Sequence, residues 1–225
     1  MKLSILIGAG ASYGCGYTNV NERPPLGVQL FDKLVMKYPD SWGKHIPEDL
    51  ISMFRSDFEL GMGRTWERQP KYFSHLLIDM AVFFTYFDPP NVQDDLYTSL
   101  LNSILSTGLL SKYGFISLNY ECIFEITVSR IGIKITMNDN YPASGNLLMW
   151  KPHGSCNFIP DAKVFNLTLQ LSGQEQRYYS GKIKVLQLQE VRNLYLGNKP
   201  LCPKQGYIIR RAMHNEYSKK YGRLD

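Results

Sequence analysis

Three short clusters in this 225-residue chain carry residue types and spacings suited to chemistry. The first, Gly8-Ala9-Gly10-Ala11-Ser12, directly follows the apolar residues 3–7. Gly8 and Gly10 let backbone N–H groups approach an anion such as a pyrophosphate, and the following helix end favours its negative charge. The second, Asn119-Tyr120-Glu121, follows the apolar residues 115–118. The Asn119 carboxamide offers both a donor and an acceptor to sugar hydroxyls, or alternatively caps the next helix. Glu121 can accept from a sugar hydroxyl or favour the N-terminal dipole of that helix. The third is Lys151-Pro152-His153-Gly154-Ser155. Imidazole is the side chain best matched to proton transfer near neutral pH; Gly154 keeps its surroundings uncrowded and Pro152 stiffens them. His45, His75 and His214 read as surface or core residues, and no histidine has the spacing of a metal site.

Each cluster must be held at the end of a strand. Residues 3–7 predict a short buried strand, 115–118 a second, and 147–151 another, with a short strand at 133–137 between them. Ligands of parallel sheets bind at the carboxyl ends of the strands, where all three clusters fall. Helical spacing begins at Val28, Phe31, Leu34 and Val35 and holds over residues 47–110, with breaks expected near 61–63 and at Asp88-Pro89-Pro90. Tyr72, Phe73, Leu76, Leu77 and Met80 form one apolar face; Leu96, Leu100, Leu101, Ile104 and Leu105 form another. A helix is expected over 123–131. A hairpin follows, with strands at 167–171 and 182–189 and a turn at 173–181; beyond 206 the chain reads as a basic helix. The fold class is therefore α/β: a Rossmann-like parallel sheet with a helical insertion at about 40–110 and a β-hairpin near the C-terminus, as a single domain.

Composition narrows the classes. With 44% apolar and 20% charged residues the chain is globular, and its size lets it fold without disulfides or metal. A net charge of +5 suits an anionic small ligand and is too diffuse to argue for nucleic acid. Cys15, Cys122, Cys156 and Cys202 contain no C-x-x-C pair, which excludes a zinc ribbon. The opening residues mimic an export signal, but Gly8 and Gly10 cut the apolar run short, so a cytoplasmic protein is expected. No stretch reaches the roughly 18 apolar residues of a membrane span.

The first glycine cluster is not the fingerprint of hydride-transfer enzymes, which would need glycine at Tyr13; Asp32, at the spacing of a ribose-binding acid, falls in a predicted helix. A tight turn without ligand is the plain alternative. Pro24-Pro25-Leu26-Gly27 reads either as a loop closing over a ligand, with Pro25 at its centre, or as a connector.

Taken in order, I-L-I-G-A-G-A-S, P-P-L-G, F-I-S-L-N-Y-E and K-P-H-G-S resemble the sirtuin-like family, and most of all its bacterial NAD-hydrolysing branch from anti-phage defence. The resemblance covers roughly residues 1–160. It implies NAD as substrate, with its pyrophosphate at residues 8–12 and its nicotinamide ribose near Asn119 and His153, in a site that also takes in Pro25, Glu121, Gly154 and Ser155. Asn119 would orient the ribose and the attacking water, and His153 would act as base. No metal is implied.

Departures from the family accompany this likeness. The paired C-x-x-C motifs of protein-deacylating sirtuins are missing, Pro24-Pro25-Leu26-Gly27 replaces their G-I-P-D-F-R loop, and Glu121 stands where the family has Asp. The late strand with G-Y-S or G-T-S is not found before Asp225, which suggests a fragment, a partner that completes the site, or impaired NAD binding. The expected activity is NAD hydrolysis to nicotinamide and ADP-ribose, gated by homo-oligomerisation, a defence-system partner or an absent C-terminal domain, with no membrane role and no nucleic-acid binding expected of this domain alone. Alternatives are a non-catalytic NAD or ADP-ribose sensor and an NAD-dependent deacylase or ADP-ribosyltransferase.

Overall fold

A computed structural model describes residues 3–16, 18, 21–89, 95–136, 146–164 and 177–196. It is a mixed α/β structure whose four-stranded sheet is parallel throughout, an arrangement compatible with a Rossmann-like fold. The strands are β1 (Leu3–Ile7), β2 (Tyr113–Ser117), β3 (Lys134–Thr136) and β4 (Asn146–Trp150), in the order β1-β2-β4-β3. Because β1, β2 and β4 are neighbours and parallel, their carboxyl ends open side by side. That common edge carries Gly8, Asn119 and His153.

After β1 the chain forms the short helix α1 (Ala9–Gly14) and then α2 (Gly27–Lys37). Among the described residues, five further α-helices precede β2: α3 (Trp42–His45), α4 (Glu48–Ser56), α5 (Phe58–Arg68), α6 (Pro70–Phe84) and α7 (Leu96–Ser106). Their core is aromatic. Trp42 and Phe54 are fully buried, with Phe31 stacked on Phe54 at 4.9 Å and Trp42 on Phe58 at 5.8 Å. The Trp42 indole N–H donates to Leu76 O at 3.2 Å, satisfying the polar atom this large ring would otherwise bury unpaired. α8 (Ile123–Arg130) follows β2, and α9 (Leu188–Leu196) packs on α6, where Arg192 donates to Thr85 O at 2.6 Å.

Several sequence expectations need correction. β1 forms, but Leu3 and Leu6 are 45% and 66% exposed, because β1 lies at the edge of the sheet formed by the described residues. The helix does not break at 61–63. α5 runs through both glycines, and Gly61 lies so tightly against the Phe54 ring that it serves packing. The breaks fall at Asp57, which caps α5 by accepting from Leu60 N–H, and at Gln69 ahead of Pro70. The buried face of α7 is Tyr97, Leu101 and Ile104, whereas Leu96 and Leu105 are exposed.

The hairpin exists as β5 (Phe158–Val164) antiparallel to β6 (Arg177–Val185), earlier than its spacing suggests. The second expected strand is divided between the end of β6 and the start of α9. Residues 167–171, the predicted basic helix beyond 206, His214 and Cys202 lie outside the described residues. No helix among those described is long and apolar enough to cross a membrane.

Candidate functional site

Ser12 is the centre of the first half of the site. Its side chain is fully buried on α1, and three partners surround Oγ. The hydroxyl donates to Glu121 Oε1 at 2.5 Å, which leaves its oxygen to accept from Asn119 Nδ2 at 2.9 Å and from the Tyr97 hydroxyl at 2.7 Å. Burial, and then the Glu121 charge, push the Tyr97 phenol upward, which keeps it a donor.

Asn119 is equally constrained. Nδ2 also donates to Gly8 O at 3.2 Å, and a backbone carbonyl can only accept, so the amide nitrogen must face it. Both amide hydrogens are thereby engaged, and Oδ1 is the atom Asn119 can offer a ligand as acceptor. Asn119 does not cap α8. Cys122 is the N-cap residue, and Glu121 Oε2 accepts from Ile123 N–H at 2.5 Å. Of the two sequence readings of Glu121, the service to the helix N-terminus is what the structure displays.

Gly8 and Gly10 border open space: a Cβ at either position would meet no atom within 4 Å. The described packing therefore does not demand glycine there, whereas a molecule lying against the backbone would. The first turn of α1 leaves the N–H groups of Ala9 and Gly10 without acceptors inside the helix.

The second half of the site follows β4. Gly154 N–H donates to Lys151 O at 3.0 Å, closing a turn with Pro152 and His153 at its centre, and Gly154 at φ +87° takes the left-handed conformation that favours glycine. Lys151 anchors this turn from beneath. Its fully buried ammonium donates to Glu121 O and to Glu125 Oε1, each at 2.6 Å. Burial works against the ammonium, but Glu125, with Cys122 and Glu121, overrides it and holds Lys151 above its ordinary range. Burial draws Glu125 the opposite way, toward the neutral acid. With two acceptors at 2.6 Å around Lys151, the ionised pair is the state the geometry supports.

Ser155 and Cys156 stitch the two halves together. Cys156 N–H donates to Tyr120 O at 2.8 Å, and Ser155 Oγ to the same carbonyl at 3.4 Å. Ser155 is thus buried and turned inward. Cys122 and Cys156, 34 positions apart in sequence, are free thiols with sulfurs 3.6 Å apart, and burial pushes the Cys156 thiol up.

His153 is 38% exposed at the side chain; its Nδ1 lies 3.7 Å from Glu59 Oε2, and its ring meets Tyr120 edge-on at 6.4 Å. The structure thus joins Gly8, Ser12, Asn119 and Glu121 directly, and ties the turn bearing His153 and Gly154 to them through Lys151, Ser155 and Cys156. Pro25 is buried just ahead of α2, which fits a connector, and its loop reaches α1 where Arg23 lies 4.9 Å from the Tyr13 ring centre. Ala9 and Ala11 are part of the α1 backbone.

Sequence reasoning did not single out Tyr97 or Glu59, and it gave no role to Tyr120 or Lys151 within the clusters that contain them. Lys151 had a signal of its own, since a lysine closing a buried strand must find an anion. Among the described residues, no group of three or more His, Cys, Asp or Glu side chains is placed to hold a metal ion. Compared with models of known protein families and with curated proteins, the chain matches none.

Proposed function

We propose that the chain is an NAD hydrolase with a sirtuin-like, Rossmann-like site, releasing nicotinamide and ADP-ribose. The observation that carries this reading is the convergence of Gly8, Asn119 and His153 at the carboxyl ends of three adjacent parallel strands. Open space beside Gly8 and Gly10 suits a pyrophosphate drawn to the Ala9 and Gly10 N–H groups, which have no acceptor inside α1.

In this reading the C1′–N bond of the nicotinamide ribose breaks and its electron pair neutralises the pyridinium ring, so departure needs no acid. Water adds to C1′ and loses a proton. Asn119, locked by Gly8 O and Ser12 Oγ, offers Oδ1 as acceptor to a ribose hydroxyl or to that water. His153 takes the proton. The site's main work is placement of the ribose and stabilisation of the developing positive charge.

The experiment is chromatography of NAD incubated with the purified chain, with calorimetric NAD binding in parallel. Nicotinamide and ADP-ribose in equal amounts support the hydrolase. Binding without turnover supports a sensor, and transfer of ADP-ribose to protein supports a transferase.

A further inference from the structure

The helical module reaches the sheet edge through one carboxylate. Glu59 is the second residue of α5, and its two oxygens face different groups. Oε1 accepts from the Tyr120 hydroxyl, and Oε2 lies 3.7 Å from His153 Nδ1. Tyr120 is itself held, its ring stacked on Phe84 of α6 at 5.7 Å and 29°. The carboxylate is therefore aimed by a tyrosine that the same module clamps. Asp57 already caps α5, so Glu59 is not required for that task. The 3.7 Å at Nδ1 is an ion-pair separation, several tenths of an ångström longer than a hydrogen bond, and the His153 side chain is 38% exposed. Lys151, the nearest cation in the turn itself, is committed to Glu125 and Glu121 O.

Resting on the hydrolase reading for its purpose, we propose that Glu59 is the positioning residue of His153. It holds the proton on Nδ1 and so leaves Nε2 bare to act as base, the arrangement by which a carboxylate fixes an imidazole tautomer. The helical module thereby completes the site, and a movement of α5 would disconnect the base.

The test reads the tautomer directly, by long-range ¹H–¹⁵N correlation of the full chain labelled at histidine, with His153 assigned from its loss in His153→Gln. At a pH where the ring is neutral, the wild type is expected to carry its proton mainly on Nδ1. Glu59→Gln, which keeps the shape, shifts the ratio toward the Nε2–H form that free histidine prefers. Tyr120→Phe, which leaves the carboxylate and removes its clamp, gives an intermediate ratio. A wild-type His153 protonated mainly on Nε2, or a ratio unmoved by Glu59→Gln, overturns the proposal. This readout does not depend on turnover, so a chain that fails to hydrolyse NAD defeats the hydrolase reading while the tautomer still decides the role of Glu59. Where nicotinamide is released, Glu59→Gln lowers kcat about tenfold or more with KM little changed, within the range a positioned base contributes. A parallel rise in KM with unchanged kcat contradicts positioning.

Discussion

Asn119 and Ser12 stand 107 positions apart in sequence, yet Asn119 Nδ2 donates to Ser12 Oγ at 2.9 Å. This bond ties the end of β2 to the helix that follows β1. It fixes which way the carboxamide faces, and Ser12 has no further hydrogen-bonding capacity to lend a ligand.

Ser12→Ala is expected to leave Asn119 Nδ2, the Tyr97 hydroxyl and Glu121 Oε1 each short of a partner in a buried place. Chemical denaturation should show a loss of about 1–3 kcal/mol. NAD turnover should fall as the Asn119 carboxamide is left with only its bond to Gly8 O to hold it.

Lys151→Met leaves Glu125 facing no cation at an 11% exposed position. A destabilisation of about 3–5 kcal/mol follows from breaking a buried pair on one side only. The double variant Lys151→Met with Glu125→Leu should recover a large part, which a double-mutant cycle of unfolding free energies measures.

The two glycines of α5 should respond with opposite signs. A Cβ at Gly61 would lie 2.6 Å from the Phe54 ring, so Gly61→Ala costs about 1–3 kcal/mol through overpacking. A Cβ at Gly63 meets nothing within 4 Å, so Gly63→Ala gains up to about 1 kcal/mol from helix propensity. Thermal unfolding of the pair reads both signs at once.

Burial pushes Asp79 above its ordinary value of 3.8, while its hydrogen bond from Ser41 and the nearby His75 oppose the shift. A carboxyl raised in the folded state favours folding most below 3.8 and loses that contribution as pH climbs through its folded value. Asp79→Asn should therefore raise Tm at neutral pH, and the gain should shrink to nothing as pH falls below about 3.8. A gain that grows on acidification would contradict this sign.

The ends of the strands were legible in the sequence because each carries its own chemistry: Gly8 after β1, Asn119 after β2 and His153 after β4. The partners of those residues were not, because they come from distant segments. Tyr97 lies 85 positions from Ser12, and Tyr120 is 61 positions from Glu59. Local rules also misled where tertiary packing overrides them. Glycine at 61 reads as a helix break until the Phe54 ring beside it is seen, and β1 reads as buried until its place at the sheet edge is known. On α7 the apolar residues outnumber the buried positions, so the period alone did not show that Leu96 and Leu105 face outward.

NAD hydrolysis at this site is tested most directly by the initial rate of nicotinamide release from NAD by the wild type, Asn119→Ala and His153→Ala, each with its fold checked by circular dichroism. Turnover by the wild type is expected, with a loss of at least about a hundredfold in both variants, as befits a locked carboxamide and a general base. Equal rates in all three folded proteins would contradict it, as would a wild type that binds NAD and releases no nicotinamide.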